Sequence, residues 1–174
     1  MSESKSNARR IALNGILGAL ALISLFLAAV MPTSRLALYA LSSFFISVAI
    51  IESGIKAGWL FYGSTALLGL ILLPDKLAMA PYVIFFGFYG IAKYYIEKLG
   101  RLLPEYIIKF AYFNVSLAIA WFFIRQVFIV EIAIKLPWLV IVIGLEAVFL
   151  LYDLAYTLFI AYYRDKLKKI LHIR

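Results

Sequence analysis

The chain reads as an all-α integral membrane protein, a compact bundle of six transmembrane helices with both termini in the cytoplasm. Three observations predict this. Apolar residues make up 66% of the 174 positions and the mean hydropathy is +1.00, against roughly 45–50% apolar residues in soluble domains. A core of this size cannot hide so many large side chains from water, so the bilayer must solvate much of the surface. The apolar runs are long enough for a helix to cross a ~30 Å hydrocarbon core, and strand-like alternation is absent, so helices must satisfy the backbone internally. Finally, the cations gather at the ends of the apolar runs, where they set topology.

The spans are placed at Ile11–Val30, Leu36–Ile51, Ala57–Leu73, Leu77–Ile96, Ile107–Ile124 and Pro137–Ala161. The first is too long for a signal core and has no clear small-x-small cleavage site, so it is read as a retained span. The breaks MPTSR, ESGIK, LPDK, EKLGRLLPE and RQVFIVEIAIK carry the Pro, Gly and charge that end helices. The second and third spans are short, and local thinning or snorkelling Lys and Arg compensates. Short connections make sequential helices antiparallel neighbours in one membrane domain over residues 1–174, with no internal repeat.

Of the 17 Lys and Arg, thirteen fall on one side when all six spans are counted: Lys5, Arg9, Arg10, Lys56, Lys93, Lys98, Arg101, Lys109, Arg164, Lys166, Lys168, Lys169 and Arg174. Arg35, Lys76, Arg125 and Lys135 fall on the other. The cation-rich side is the cytoplasm. Residues 1–10 are then a basic cytoplasmic lead, and residues 162–174 a basic amphipathic tail along the anionic inner leaflet. VFIVEIAIK, interrupted by Glu131, is placed as an interfacial cap over the outer ends of the last two helices. The net charge of +8 marks topology rather than a nucleic-acid face.

The polar residues inside the spans are the candidates for chemistry. Glu146 and Asp153, in GLEAVFLLYDLAY, are seven residues apart, about 20° short of two turns, so they share a face with Leu150 and Thr157. Carboxylates there are costly and are functional by default. Glu146, in the outer half, is a candidate ligand contact. Asp153, past the middle, is a buried charge that Lys109 or Lys93 can meet from the inner side. Both can equally be structural partners or neutral hydrogen-bond donors.

On the fifth span Asn114, Ala118, Trp121 and Arg125 fall on one face; they suit a ligand wall with Arg125 at the outer rim, or an interhelical amide bond plus a Trp–Arg anchor. Tyr39, Ser43 and Ser47 form a stripe on the second span. Hydroxyls so spaced commonly bond across helices or to preceding carbonyls, and Tyr39 and Ser43 are kept as further ligand candidates. Trp138 is a belt residue or a lid, and Tyr94, Tyr95, Tyr162 and Tyr163 form the inner aromatic belt. Small residues make ridges on the first span (Ala12, Gly15, Ala19, with Gly18 beside them) and on the third (Gly58, Thr65, Gly69). Such ridges allow close helix approach within a chain or between chains.

The chain lacks cysteine, which excludes disulfides and thiol chemistry. It carries no phosphate-binding G-x-x-x-x-G-K-[ST] loop, no H-E-x-x-H and no serine elbow. A non-enzyme without cofactor or metal is expected.

The opening ARRIALNGILGALALISLFLA, a basic lead into a small-residue helix, together with the six short-looped spans, resembles the substrate-binding S-components of energy-coupling factor (ECF) vitamin importers. The loop MPTSR is shorter than in many of them. The resemblance implies that Ala12, Gly15 and Ala19 dock a transmembrane coupling protein served by separate ATPases. It also implies an outer-half pocket involving Asn114, Trp121, Arg125 and Glu146 for a vitamin-like molecule. Two other readings stand beside it: a non-transporting scaffold similar to the MreD cell-shape membrane proteins, and a small proton-coupled carrier using Glu146 and Asp153.

Overall fold

Four breaks between apolar runs, MPTSR, ESGIK, LPDK and EKLGRLLPE, become helix boundaries, and the fifth, RQVFIVEIAIK, lies largely outside the described residues. The computed structural model describes residues 2–128 and 137–167, with side chains described at 7–31, 33–123, 137 and 139–166. It contains α1 (Ser2–Val30), α2 (Arg35–Ser53), α3 (Ile55–Leu72), α4 (Gly87–Glu97), α5 (Leu102–Phe128) and α6 (Trp138–Tyr162). A 3-10 turn at Leu77–Met79 and a π turn at Tyr82–Phe86 lead into α4, and a second π turn, Tyr163–Leu167, extends α6. The described residues include six helices long and apolar enough to cross a membrane and no strand. The cap expected over VFIVEIAIK and most of the basic tail fall largely outside the described residues.

The helix ends differ from the apolar limits for identifiable reasons. α1 begins at Ser2 rather than Ile11, because its polar lead contains no Pro or Gly to interrupt hydrogen bonding. Hydropathy marks where a helix meets lipid, not where it starts. α5 begins at Leu102 and holds Pro104 in its first turn, where a missing N–H is harmless. The fourth span is not one uniform helix. Pro81 precedes its π turn, and such turns arise where the regular ladder is interrupted.

The chain falls into two compact units, Met1–Glu105 and Tyr106–Arg174. In the first, α1 buries Leu17, Ala21, Ser24, Leu25 and Ala28, one stripe at ~100° per residue. Asn14 Nδ2 donates to Ser53 Oγ at 3.0 Å, which sets α1 antiparallel to α2 with Ala21 level with Ile46. Gly54, at φ 85°, turns the chain from α2 into α3, a conformation that favours glycine.

The α3 ridge is packed inside this unit. A methyl group on Gly58 would collide with Ile50, one on Gly69 with Met79, and one on Gly87 would lie 2.9 Å from the rings of Tyr62 and Tyr82. Around the π turn the hydroxyls are engaged. Tyr39 donates to the Ala78 carbonyl at 2.5 Å, Tyr62 to that of Val83 at 2.8 Å, and Tyr82 lies 2.7 Å from Thr65 Oγ1. Lys76 reaches the Leu73 and Ile71 carbonyls at 2.8 and 3.2 Å, capping the free acceptors at the end of α3.

In the second unit, α5 and α6 run antiparallel. Phe113 stacks on Phe149 with centroids 4.6 Å apart, and Phe110 meets the same ring edge-on at 5.8 Å. The buried stripes are Lys109, Phe113 and Ser116 on α5, and Phe149, Asp153 and Tyr156 on α6.

Candidate functional site

Two polar pairs flank this aromatic stack. On one side Asn114 Nδ2 donates to Glu146 Oε1 at 2.6 Å and to the Phe110 carbonyl, one turn back on its own helix, at 2.9 Å. An amide nitrogen has two hydrogens, so both are used. The short contact to the acid is typical of charge-assisted bonds. Glu146 Oε2 is buried and accepts no hydrogen bond from the described residues. A carboxylate with one oxygen held and the other open, in an apolar helix, is the strongest chemical feature of the unit.

On the other side Lys109 Nζ lies 3.0 Å from Asp153 Oδ2, with side chains 6% and 8% exposed. The ammonium also sits 5.6 Å from the centre of the Tyr106 ring. Thr157, on the Asp153 face, donates to the Asp153 carbonyl at 2.8 Å. This pair is closed by its own partners, whereas the Asn114–Glu146 pair is open at one oxygen.

The remaining candidates are distributed as follows. Trp121 is 42% exposed, and Asn114 and Ala118 on the same face are also exposed. The side chains of Arg125 and Trp138 lie outside the described residues. Tyr39 and Ser43 are in the core of the first unit, the Ser43 hydroxyl donating to the Ala40 carbonyl at 2.6 Å. Ala12, Gly15 and Ala19 are exposed on α1, opposite its packed stripe. A methyl group on Gly15 would meet nothing within 4 Å. The two small-residue ridges therefore have different fates: that of α3 is filled by its neighbours and that of α1 is uncovered.

Two further charged residues are buried: Lys93, expected as a cytoplasmic cation or a partner of Asp153, and Glu52, which sequence reasoning passed over. Lys93 is 1% exposed, with its ammonium 2.7 Å from Glu97 and 6.0 Å from the Tyr89 ring centre. Glu52 is buried as well. Both lie near helix ends, where charge is read as topology. The signal for Lys93 was its setting, GIAKYYIE, where aromatic and apolar neighbours precede a Glu one turn on.

Six helices long and apolar enough to cross a membrane mark a multi-pass helical membrane protein. No protein family, curated protein or solved structure matches the chain.

Proposed function

We propose that this chain is the membrane-embedded substrate-binding subunit of an ECF-type importer, capturing a vitamin-like molecule from outside and relying on a separate ATPase module. The observation that carries the reading is the second oxygen of Glu146, beside Asn114, which is buried and has no hydrogen-bond partner among the described residues: such an acceptor in an apolar span is suited to a ligand. The uncovered ridge Ala12, Gly15 and Ala19 supports a second helix, from a coupling protein, approaching α1 closely. The excess of cations at one end supports cytoplasmic termini and placement in a plasma membrane. Native mass spectrometry of the purified chain tests this. A small molecule retained by the wild type and lost from Glu146→Gln is the expected result. A purified protein that retains no small molecule overturns it.

A scaffold is the second reading, favoured by the exposure of Asn114, Ala118 and Trp121 along one face of α5. In that case the face meets lipid or another protein. Replacing Trp121 with Ala would then impair partner retention and leave small-molecule binding without a phenotype.

A further inference from the structure

We propose that the Asn114–Glu146 pair receives a cationic, hydrogen-donating group of its ligand, such as an ammonium or amidinium, rather than an anionic one. This rests on the small-molecule reading above and adds the chemical class.

The donors and acceptors of the pair decide the class of group it receives. Asn114 has both amide hydrogens engaged, one on Phe110 O and one on Glu146 Oε1. Because both partners are acceptors, the nitrogen end of the amide is fixed and the exposed side chain has only its carbonyl Oδ1 left to offer. Glu146 contributes Oε2, buried and without a partner. Of the hydroxyls near the pair on α5, that of Ser116 donates to the Tyr112 carbonyl at 2.9 Å. The nearest cation along the α5–α6 seam, Lys109, is bound to Asp153. The pair therefore presents acceptors and no donor of its own.

An incoming carboxylate or phosphate would face two oxygen acceptors across a weakly screening apolar medium, where like charges repel strongly. A cation would instead make a charge-assisted bond to Oε2 and neutralise a carboxylate that is otherwise costly to bury. Ligand N–H groups donate to acceptors such as Oε2 and Asn114 Oδ1, and a cationic donor, unlike a neutral hydroxyl, also neutralises the carboxylate.

The test uses the purified full-length chain in micelles, with probes matched in shape and opposite in charge: benzamidinium against benzoate, and methylguanidinium against acetate. Binding is read by calorimetry, and folding by melting temperature. The cations are expected to bind at least tenfold tighter than their anionic counterparts. Glu146→Gln should abolish that preference, Glu146→Asp should retain it, and Glu105→Gln should leave it unchanged. The wild-type comparison needs no variant, so a misfolded Gln variant does not spoil it. Absence of a cation preference in the wild type, or its persistence in a folded Glu146→Gln, overturns the assignment. If native mass spectrometry then finds a bound anionic or neutral molecule, only the ligand class is wrong. If the protein is empty as well, the small-molecule reading falls with it.

Discussion

Lys109 and Asp153 join α5 to α6 by a 3.0 Å ion pair in which both side chains are more than nine-tenths buried. Five residues on along α5 and seven back along α6, Asn114 and Glu146 join the same helices at 2.6 Å. The spacing of the two pairs fixes one antiparallel register, with Phe113 and Phe149 stacked between them. A slip of one helix by a residue would swing all three contacts out of line. The polar pairs thus specify how two otherwise uniformly apolar helices meet, a role suited to a medium in which apolar contact alone discriminates little.

The ion pair should therefore matter more when broken than when removed. Lys109→Met takes the ammonium from the buried Asp153 carboxylate, and Asp153→Leu takes the carboxylate from the buried Lys109 ammonium. Each should cost ~3–5 kcal/mol, whereas the double replacement should be close to neutral. Thermal unfolding of the three variants in the same detergent checks this. A double variant as unstable as the sum of the singles would show that the pair acts through something other than mutual neutralisation.

The Thr65–Tyr82 contact gives an asymmetric prediction. Thr65 Oγ1 also lies 2.8 Å from the Phe61 carbonyl, which accepts its single hydrogen, so Tyr82 is the donor to Thr65. Removing the Tyr82 hydroxyl leaves Thr65 satisfied and should cost about 1 kcal/mol. Thr65→Val instead strands a fully buried phenol, and should cost ~1–3 kcal/mol. Unfolding midpoints should rank wild type, Tyr82→Phe, then Thr65→Val.

The number of spans was legible in the sequence because apolar length and helix geometry are tied by the thickness of the bilayer. Where the helices start was less so, since Ser2 to Arg10 is polar yet helical. The π turn before α4 left no periodic signature beyond Pro81. Glu146, Asp153 and Asn114 stood out singly as polar residues in lipid-length runs. Their pairing did not, because it depends on the α5–α6 register. Of the two lysines available to Asp153, that register brings Lys109 to it. The ridges of α1 and α3 look alike as strings; what separates them is whether Ile50 and Met79 come across to fill the gap, a tertiary fact.

Glycines in packed and in open positions predict different responses to one extra methyl. Gly87→Ala would press a Cβ between two aromatic rings 2.9 Å away. Neither ring can move aside cheaply in a packed core, and the cost should be ~1–3 kcal/mol. At Gly69 the obstructing atoms are the flexible end of Met79, so Gly69→Ala should cost less. Gly15→Ala has open space and should leave the melting temperature unchanged or slightly raised, as expected for alanine replacing glycine in a helix. A destabilised Gly15→Ala would mean that the α1 ridge is covered in the purified protein.

The last prediction concerns direction in the membrane. The chain has no cysteine, so single cysteines can be introduced without background. Ser34, between α1 and α2, is exposed and makes no side-chain cap to the helix it precedes. Lys98, after α4, is also exposed. Alternating spans put these two positions on opposite faces, and the excess of cations assigns Lys98 to the cytoplasm. A membrane-impermeant maleimide applied to intact cells should label Ser34→Cys at once and Lys98→Cys only after permeabilisation. Labelling of both from one face would mean that α2, α3 or the span ending in α4 does not cross. Labelling in the reverse order would place the termini outside and turn the acceptor pair of α5 and α6 toward the other compartment, and an importer that captures its ligand from outside would lose its entry.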